Sequence, residues 1–297
     1  RNLPNINQVG LVGANLNRNQ LGFATVLKIH SKGDKAGHWL TDLDVSFRQD
    51  KVNDHKSDLN FRADHNEDDP SFLDFGENKW ENKIFKISTI ASKRLPGRTI
   101  AYWVTTGNNV KFPTLQQQIS LTDAPNNGQK VLSPEKMKSL EIGINFLSQP
   151  KDISNINSIE FQGSFFRNDY LNKMRVTYLL GMPVGYYENI GVANMTGVEG
   201  KMKMKTYDGK IIGEMGFSKY NVSDLSAFPF KSIFKVTTSM TAKWKYFSIG
   251  SRWFHEGEQV GMVNVPGKGF NEIELPAFTN YDIFWTLQLS LGSYKGQ

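Results

Sequence analysis

The sequence predicts an all-β fold, an antiparallel β-sandwich of jelly-roll type with long polar loops and little helix. Three observations predict it. Apolar residues alternate with period two from one end of the chain to the other, helical i, i+3, i+4, i+7 spacing is nearly absent, and the strands come irregularly, without the strand-helix-strand rhythm of a parallel sheet. The 297 residues are treated as a single unit, 1–297, with a composition break near 150 that would otherwise divide it into two β units.

In chain order, the clearest alternating sets are Leu21, Phe23, Thr25, Leu27 and Ile29, followed by Trp39, Thr41, Leu43, Val45 and Phe47. Leu140, Ile142, Ile144 and Phe146 form a third, and Ile283, Trp285, Leu287, Leu289 and Leu291 the last. Threonine, valine and aromatic enrichment marks further strands over 84–91, 99–105, 158–166, 174–180, 200–206, 210–218 and, with a break, 234–254. Turn chemistry separates them: the polar run 32–37, Pro96-Gly97, Asn126-Asn127-Gly128 and, as the cleanest hairpin, Tyr207-Asp208-Gly209-Lys210. Residues 50–81 and 107–136 read as long polar loops that make contacts. Within the second, Ser133-Pro134-Glu135-Lys136 is expected to open a short helix with Ser133 as its cap.

Composition excludes several chemistries. The chain has no cysteine, hence no disulfide, thiolate metal site or cysteine nucleophile, and the redox compartment cannot be read. The net charge is +6, with 35 basic and 29 acidic residues interleaved rather than blocked. No apolar run is long enough for a membrane helix, so no helical membrane insertion is expected. The chain begins at Arg1 rather than Met and stops at Gln297, which reads as a pair of processed or trimmed ends. Walker, G-x-G-x-x-G, H-E-x-x-H and G-x-S-x-G patterns are missing in their required contexts. No cofactor, metal or catalytic residue is therefore assigned, and an enzyme is the less favoured reading.

Four features remain as candidates. Lys201, Lys203 and Lys205 alternate with Met202 and Met204, so one strand presents three ammonium groups on one face and thioethers on the other. Together with Lys243 and Lys245, which flank Trp244, they are the expected contacts for nucleic acid or another polyanion, although lysines protecting an edge strand and simple core packing explain them equally well. The polar stretch 55–69, with His55, Asp58, Asp64 and His65, has carboxylates for a hard cation but lacks EF-hand spacing and reads as a solvated loop. Trp253-Phe254-His255-Glu256 sets a histidine beside a carboxylate near Arg252, either an acid-base pair or a turn after a strand. Asn194-Met195-Thr196 and Asn221-Val222-Ser223 match the glycosylation triplet without deciding anything.

The segment 158–181, SIEFQGSFFRNDYLNKMRVTYLLG, is similar to a pair of consecutive strands in picorna-like virus coat proteins. There a strand and a short polar turn precede an Arg-Val/Leu-x-Tyr strand and a Gly/Pro-rich loop. Arg175, Val176, Tyr178, Gly181 and Pro183 occupy those places here, and other strands of the chain carry nothing diagnostic. The resemblance implies a non-catalytic capsid protein that self-assembles into a virion. It also implies that other copies of the chain and related coat subunits are partners, with packaged nucleic acid inside, and that a protease cutting after glutamine made the ends.

Two alternatives stay open. The first is an outer-membrane β-barrel, since around Tyr281 an apolar face alternates with Asp282, Thr286 and Gln288; against it, the links after Phe166, Leu180 and Thr206 all look short where short turns and long loops should alternate. The second is a secreted β-sandwich that binds or cleaves acidic polysaccharide, located outside the cell.

Overall fold

The computed structural model describes residues 16–31, 37–56, 78–115, 117, 132–150, 155–179, 185–265 and 269–288. Strands fill most of these. They are β1 (Leu16–His30), β2 (Trp39–Lys56), β3 (Asn78–Leu95), β4 (Arg98–Lys111), β5 (Glu135–Ser148), β6 (Ile156–Leu179) and β7 (Gly185–Thr206). β8 (Ile211–Val222), β9 (Phe234–Trp244), β10 (Phe247–Glu256), β11 (Gln259–Val265), β12 (Gly269–Leu275) and β13 (Phe278–Leu287) complete them. The all-β, antiparallel expectation holds.

The layering does not. All strands belong to one 13-stranded sheet whose path runs β1 to β10 in chain order and then to β13; β11 and β12 form a hairpin off this path, and β11 lies parallel to the end of β6. A jelly roll sends consecutive strands into different layers through long crossovers. Here each strand on the path up to β10 pairs with its chain neighbours, whether a short turn or a long link joins them, so the sandwich expectation is corrected to a meandering, barrel-like sheet. Gly97 (φ 66) and Gly209 (φ 76) take the left-handed conformation that such turns require; Tyr207 (φ 51) and Asp208 (φ 57) share it in the β7–β8 hairpin, as the sequence predicts.

The links differ in size between the two ends of the sheet, with 180–184 the exception. At one end lie 31–38, Pro96-Gly97, 149–155, Tyr207–Lys210 and Lys245-Tyr246; at the other lie 57–77, 112–134, the short 180–184, 223–233 and 257–277, which carries the β11–β12 hairpin. The expected link after Phe166 does not exist. β6 runs unbroken for 24 residues, and its polar stretch Arg167-Asn168-Asp169 is paired on both sides, Asn168 with Ser139 and with Met195. The two strands that resemble a viral coat hairpin are thus one strand; Gly181 and Pro183 fall outside the described residues. The expected loops shrink likewise: 50–56 and 78–81 belong to β2 and β3, and 107–111 and 135–136 to β4 and β5. Residues 58–69 of the polar cluster, and the turn at 126–128, fall outside the described residues.

Ser133-Pro134 opens a strand rather than a helix. The Ser133 N–H donates to Asn189 Oδ1 at 2.6 Å, Asn189 Nδ2 returns a bond to the Ser133 carbonyl at 3.0 Å, and Glu135 enters the ladder opposite Lys111. Pairing on both sides takes the backbone groups that a helix would need.

Register fixes what each face carries. Phe47 lies opposite Phe85, Val104 opposite Ile142, Ile142 opposite Phe165, Phe161 opposite Met202, Met202 opposite Met215, and Ile249 opposite Trp285. These paired apolar residues therefore share one face, and they are exposed: Phe23 by 65%, Ile142 by 47% and Trp285 by 68%. The opposite face is mainly polar, with aromatic side chains such as Trp103, Phe254 and Phe284 among the polar ones. Fully buried apolar side chains are few among the described residues, and several, Leu132, Met174, Ala227, Met262 and Val263, gather toward the long-link end. A sandwich would bury the apolar face; this sheet displays it.

Two outcomes test this arrangement. A Cβ added at Gly143 would fall 2.0 Å from the Trp103 ring, which covers that glycine on the polar face, so Gly143→Val is expected to eject the ring and destabilise the protein by about 1–3 kcal/mol, read as a lower unfolding midpoint. Backbone amides of residues 167–171 should exchange with deuterium as slowly as those of 159–165. Rapid exchange confined to 167–171 would restore the hairpin reading.

Candidate functional site

The polar face carries charge in an interleaved pattern. Across β6, β7 and β8, Glu160, Lys203 and Glu214 stand in one row, and Gln162, Lys201 and Gly216 in the next. Lys203 Nζ reaches Glu214 Oε1 at 2.5 Å. Lys205 stands opposite Ser158 and Ile212. Farther along, Tyr220 donates its hydroxyl to Glu199 at 2.7 Å, Lys235 meets Glu256 at 3.3 Å, and Arg252 lies opposite Asp282. Together these strands line a shallow concavity of about 1120 Å³ that includes Lys201, Glu214, Arg252 and Asp282. Cations and carboxylates of similar number face each other there, so the wall is polar without a strong net sign.

The lysines named from the sequence separate. Lys201, Lys203 and Lys205 share the polar face while Met202 and Met204 join the apolar one, which is what their alternation predicts. Lys243, opposite Ser248, is on the polar face near the short-turn end; Lys245 sits in the β9–β10 turn, its Nζ 4.9 Å from the Tyr246 ring centre. His255 and Glu256, neighbours on β10, point to opposite faces. His255 Nδ1 is 2.9 Å from Thr279 Oγ1 and its ring stacks near Trp253, whereas Glu256 pairs with Lys235. They form no acid-base pair. Among the described residues no cluster of histidine and carboxylates could hold a metal ion. Both glycosylation triplets lie on paired strands, Thr196 opposite Asn221.

The long-link end holds a second arrangement that sequence reasoning did not find. Arg175 donates to Glu188 at 2.8 Å and to Ser226 Oγ at 2.7 Å, and the Thr177 hydroxyl donates to the same Glu188 oxygen at 3.2 Å. Glu135 accepts from Lys173 Nζ at 3.0 Å and from the Met174 N–H at 2.8 Å. Phe228 packs edge-on against Tyr170, and Phe230 against Tyr178, with ring centres 5.5 and 5.7 Å apart. These pairs pin the β8–β9 link onto β6. The Phe230 N–H then donates to Val260 of β11 at 2.8 Å. Lys231, in that link, lies 4.2 Å from the Tyr220 ring centre, and burial pushes its ammonium below the usual lysine pKa, partly offset by Glu199. Gly261, beneath the Phe230 ring, is the one sequence signal of this packing.

Comparison with known proteins gives the arrangement a family. The family model described as "TonB dependent receptor-like, beta-barrel" matches residues 35–294. No curated protein matches. Among solved structures, the copper transporter OprC is similar with a TM-score of 0.64 and 12% identity over 92% of this chain and 40% of its own. The FrpB iron transporter from Neisseria meningitidis, F3-3 variant, gives 0.60 and 14% over 93% and 40%. The siderophore receptor PirA from Acinetobacter baumannii gives 0.52 and 14% over 93% and 49%. The chain thus spans less than half the length of these structures, and at such identity the likeness is one of fold.

These findings overturn the coat-protein expectation. The capsid identity, the virion location and the self-assembling coat partners with packaged nucleic acid rested on a hairpin that is a single strand, and both the family match and the neighbours are receptor barrels. The objection to an outer-membrane barrel also loses its ground, since no link follows Phe166 and, apart from 180–184, the longer links do lie at the end opposite the short turns. The chain belongs to the TonB-dependent receptor-like β-barrel family.

Proposed function

We propose that the chain forms part of the wall of a TonB-dependent transporter in the outer membrane, its apolar face against lipid and its polar face lining the passage of a metal ion or metal chelate. The observation that carries the reading is the division of faces. Exposed Phe, Ile, Leu, Met and Trp recur on one side from β1 to β13, and Lys, Glu, Asn and Ser on the other. In water such a face would drive association, whereas in hydrocarbon it is the matching surface. The solute class is suggested by the copper, iron and siderophore proteins that share the fold. Within this reading Lys201, Lys205 and Lys243 are the lumen-wall cations open to an anionic chelate. Lys203 is held by Glu214, and Lys245 belongs to the turn rather than the wall.

Two measurements test it. Ile142→Lys, in the middle of the apolar set of β5, should destabilise the barrel by about 2–4 kcal/mol in bilayers, while Asn145→Lys on the polar face of the same strand should change stability little. Equal effects would mean that lipid does not meet the apolar face. For transport, cells making the full-length protein should accumulate labelled ferric chelate or copper only when TonB is functional. Accumulation that persists without TonB, or recovery of the protein outside the outer membrane, would overturn the proposal.

A further inference from the structure

Two of the longer links share both a root and a tip. The β8–β9 link leaves the sheet after Val222 and rejoins the ladder where Phe234 pairs with Lys219. The β11–β12 hairpin leaves after Glu256 and rejoins where Phe278 pairs with that same residue, so it hangs from a single rung. The roots touch: the Gly257 N–H, at the foot of the hairpin, donates at 2.8 Å to the carbonyl of Phe234, at the foot of the link.

At the far end both meet Phe230. Its ring stands edge-on to Tyr178 of β6, with 5.7 Å between centres, and lies so close over Gly261 of β11 that an added Cβ would fall 2.2 Å from it. Its N–H donates to the Val260 carbonyl at 2.8 Å. Beyond this clasp, among the described residues, the ladder ties the hairpin to β6 through two rungs, Val263 with Tyr178 and Asn264 with Leu179. Phe230 keeps its place at φ 58, a left-handed conformation that costs a bulky residue free energy and persists where its contacts outweigh that cost. Phe228, two residues earlier, is placed differently, its ring against Tyr170 and the Lys173 ammonium, both of β6.

We propose that Phe230 is the catch of a two-part flap, clamping the β8–β9 link and the β11–β12 hairpin to the tip of β6 as one body that swings open about the joined roots at Phe234 and Gly257. One catch serves both parts because Phe230 belongs to the first and is seated on the second. The seat has to be glycine, since any side chain at 261 would occupy the space of the ring. Opening breaks the 2.7 Å bond from Arg175 to Ser226 Oγ of the link and bares a guanidinium that is now largely buried beside Glu188. The flap works in the same way whichever solvent meets the apolar face.

The catch is read by amide hydrogen exchange of the full-length protein in detergent micelles. Phe230→Ala removes the ring, whereas Gly261→Val leaves the ring in the chain and takes away its seat. Each variant should speed exchange within 226–231 and within 260–264 and 271–274 together, by about tenfold or more, with 239–250 and the unfolding midpoint unchanged. Phe228→Ala should speed exchange in the link alone. A rise in one part without the other, no rise in either variant, or a rise that extends over 239–250 overturns the flap. So does a release of the hairpin by Phe228→Ala as large as that by Phe230→Ala.

Discussion

Everything in this molecule depends on lateral backbone pairing between strands that are neighbours in the chain. A strand with both flanks paired has no donor or acceptor left over, so its two faces are free to meet different solvents. The side-chain period of two then does the sorting. Odd residues of β6 and even residues of β7 fall on the apolar face because the register pairs Phe161 with Met202 and Phe165 with Val198. A slip of one residue would carry Lys201 and Lys203 to the apolar side, at a cost in desolvation that pins the register as firmly as any turn.

At the long-link end the means of stabilisation changes. There the strands rise past the apolar band, and side-chain pairs in a partly buried setting take over: Arg175 with Glu188, Lys173 with Glu135, and Arg18 with Asp54, where Nε and Nη2 donate at 2.6 and 2.8 Å. Arg175–Glu188 and Arg18–Asp54 are direct cross-strand neighbours that reinforce the ladder, and Arg175 also ties the β8–β9 link to β6 through Ser226. Breaking one partner away costs more than the pair contributes, since a buried charge is left alone.

How much of this the sequence disclosed depended on where apolar alternation was strong. β1, β2, β5 and β13 were legible from their apolar sets, and the Tyr207–Lys210 hairpin from its turn residues. The first half of β7, Gly185-Tyr-Tyr-Glu-Asn-Ile-Gly-Val, was not, because glycines and polar residues dilute the period in a stretch whose pairing is decided by β6. The same dilution at Arg167-Asn168-Asp169 imitated a turn, and that imitation both suggested a coat protein and removed the argument for a barrel. One face or the other can be read from alternation. Which of them meets water cannot, since an exposed apolar face and a buried one have the same pattern. That Lys201, Lys203 and Lys205 share the face opposite Met202 and Met204 followed from their period.

The length of β6 carries a consequence for the shape of the whole. Its 24 residues extend roughly 80 Å, whereas a strand tilted by about 45° needs only some 42 Å to cross a hydrocarbon layer about 30 Å thick. In the proposed barrel, nearly half of β6, with β7 beside it, would extend past the bilayer. A solute approaching such a barrel from the long-link end would meet that extension, with its aromatic-stapled link, before the membrane.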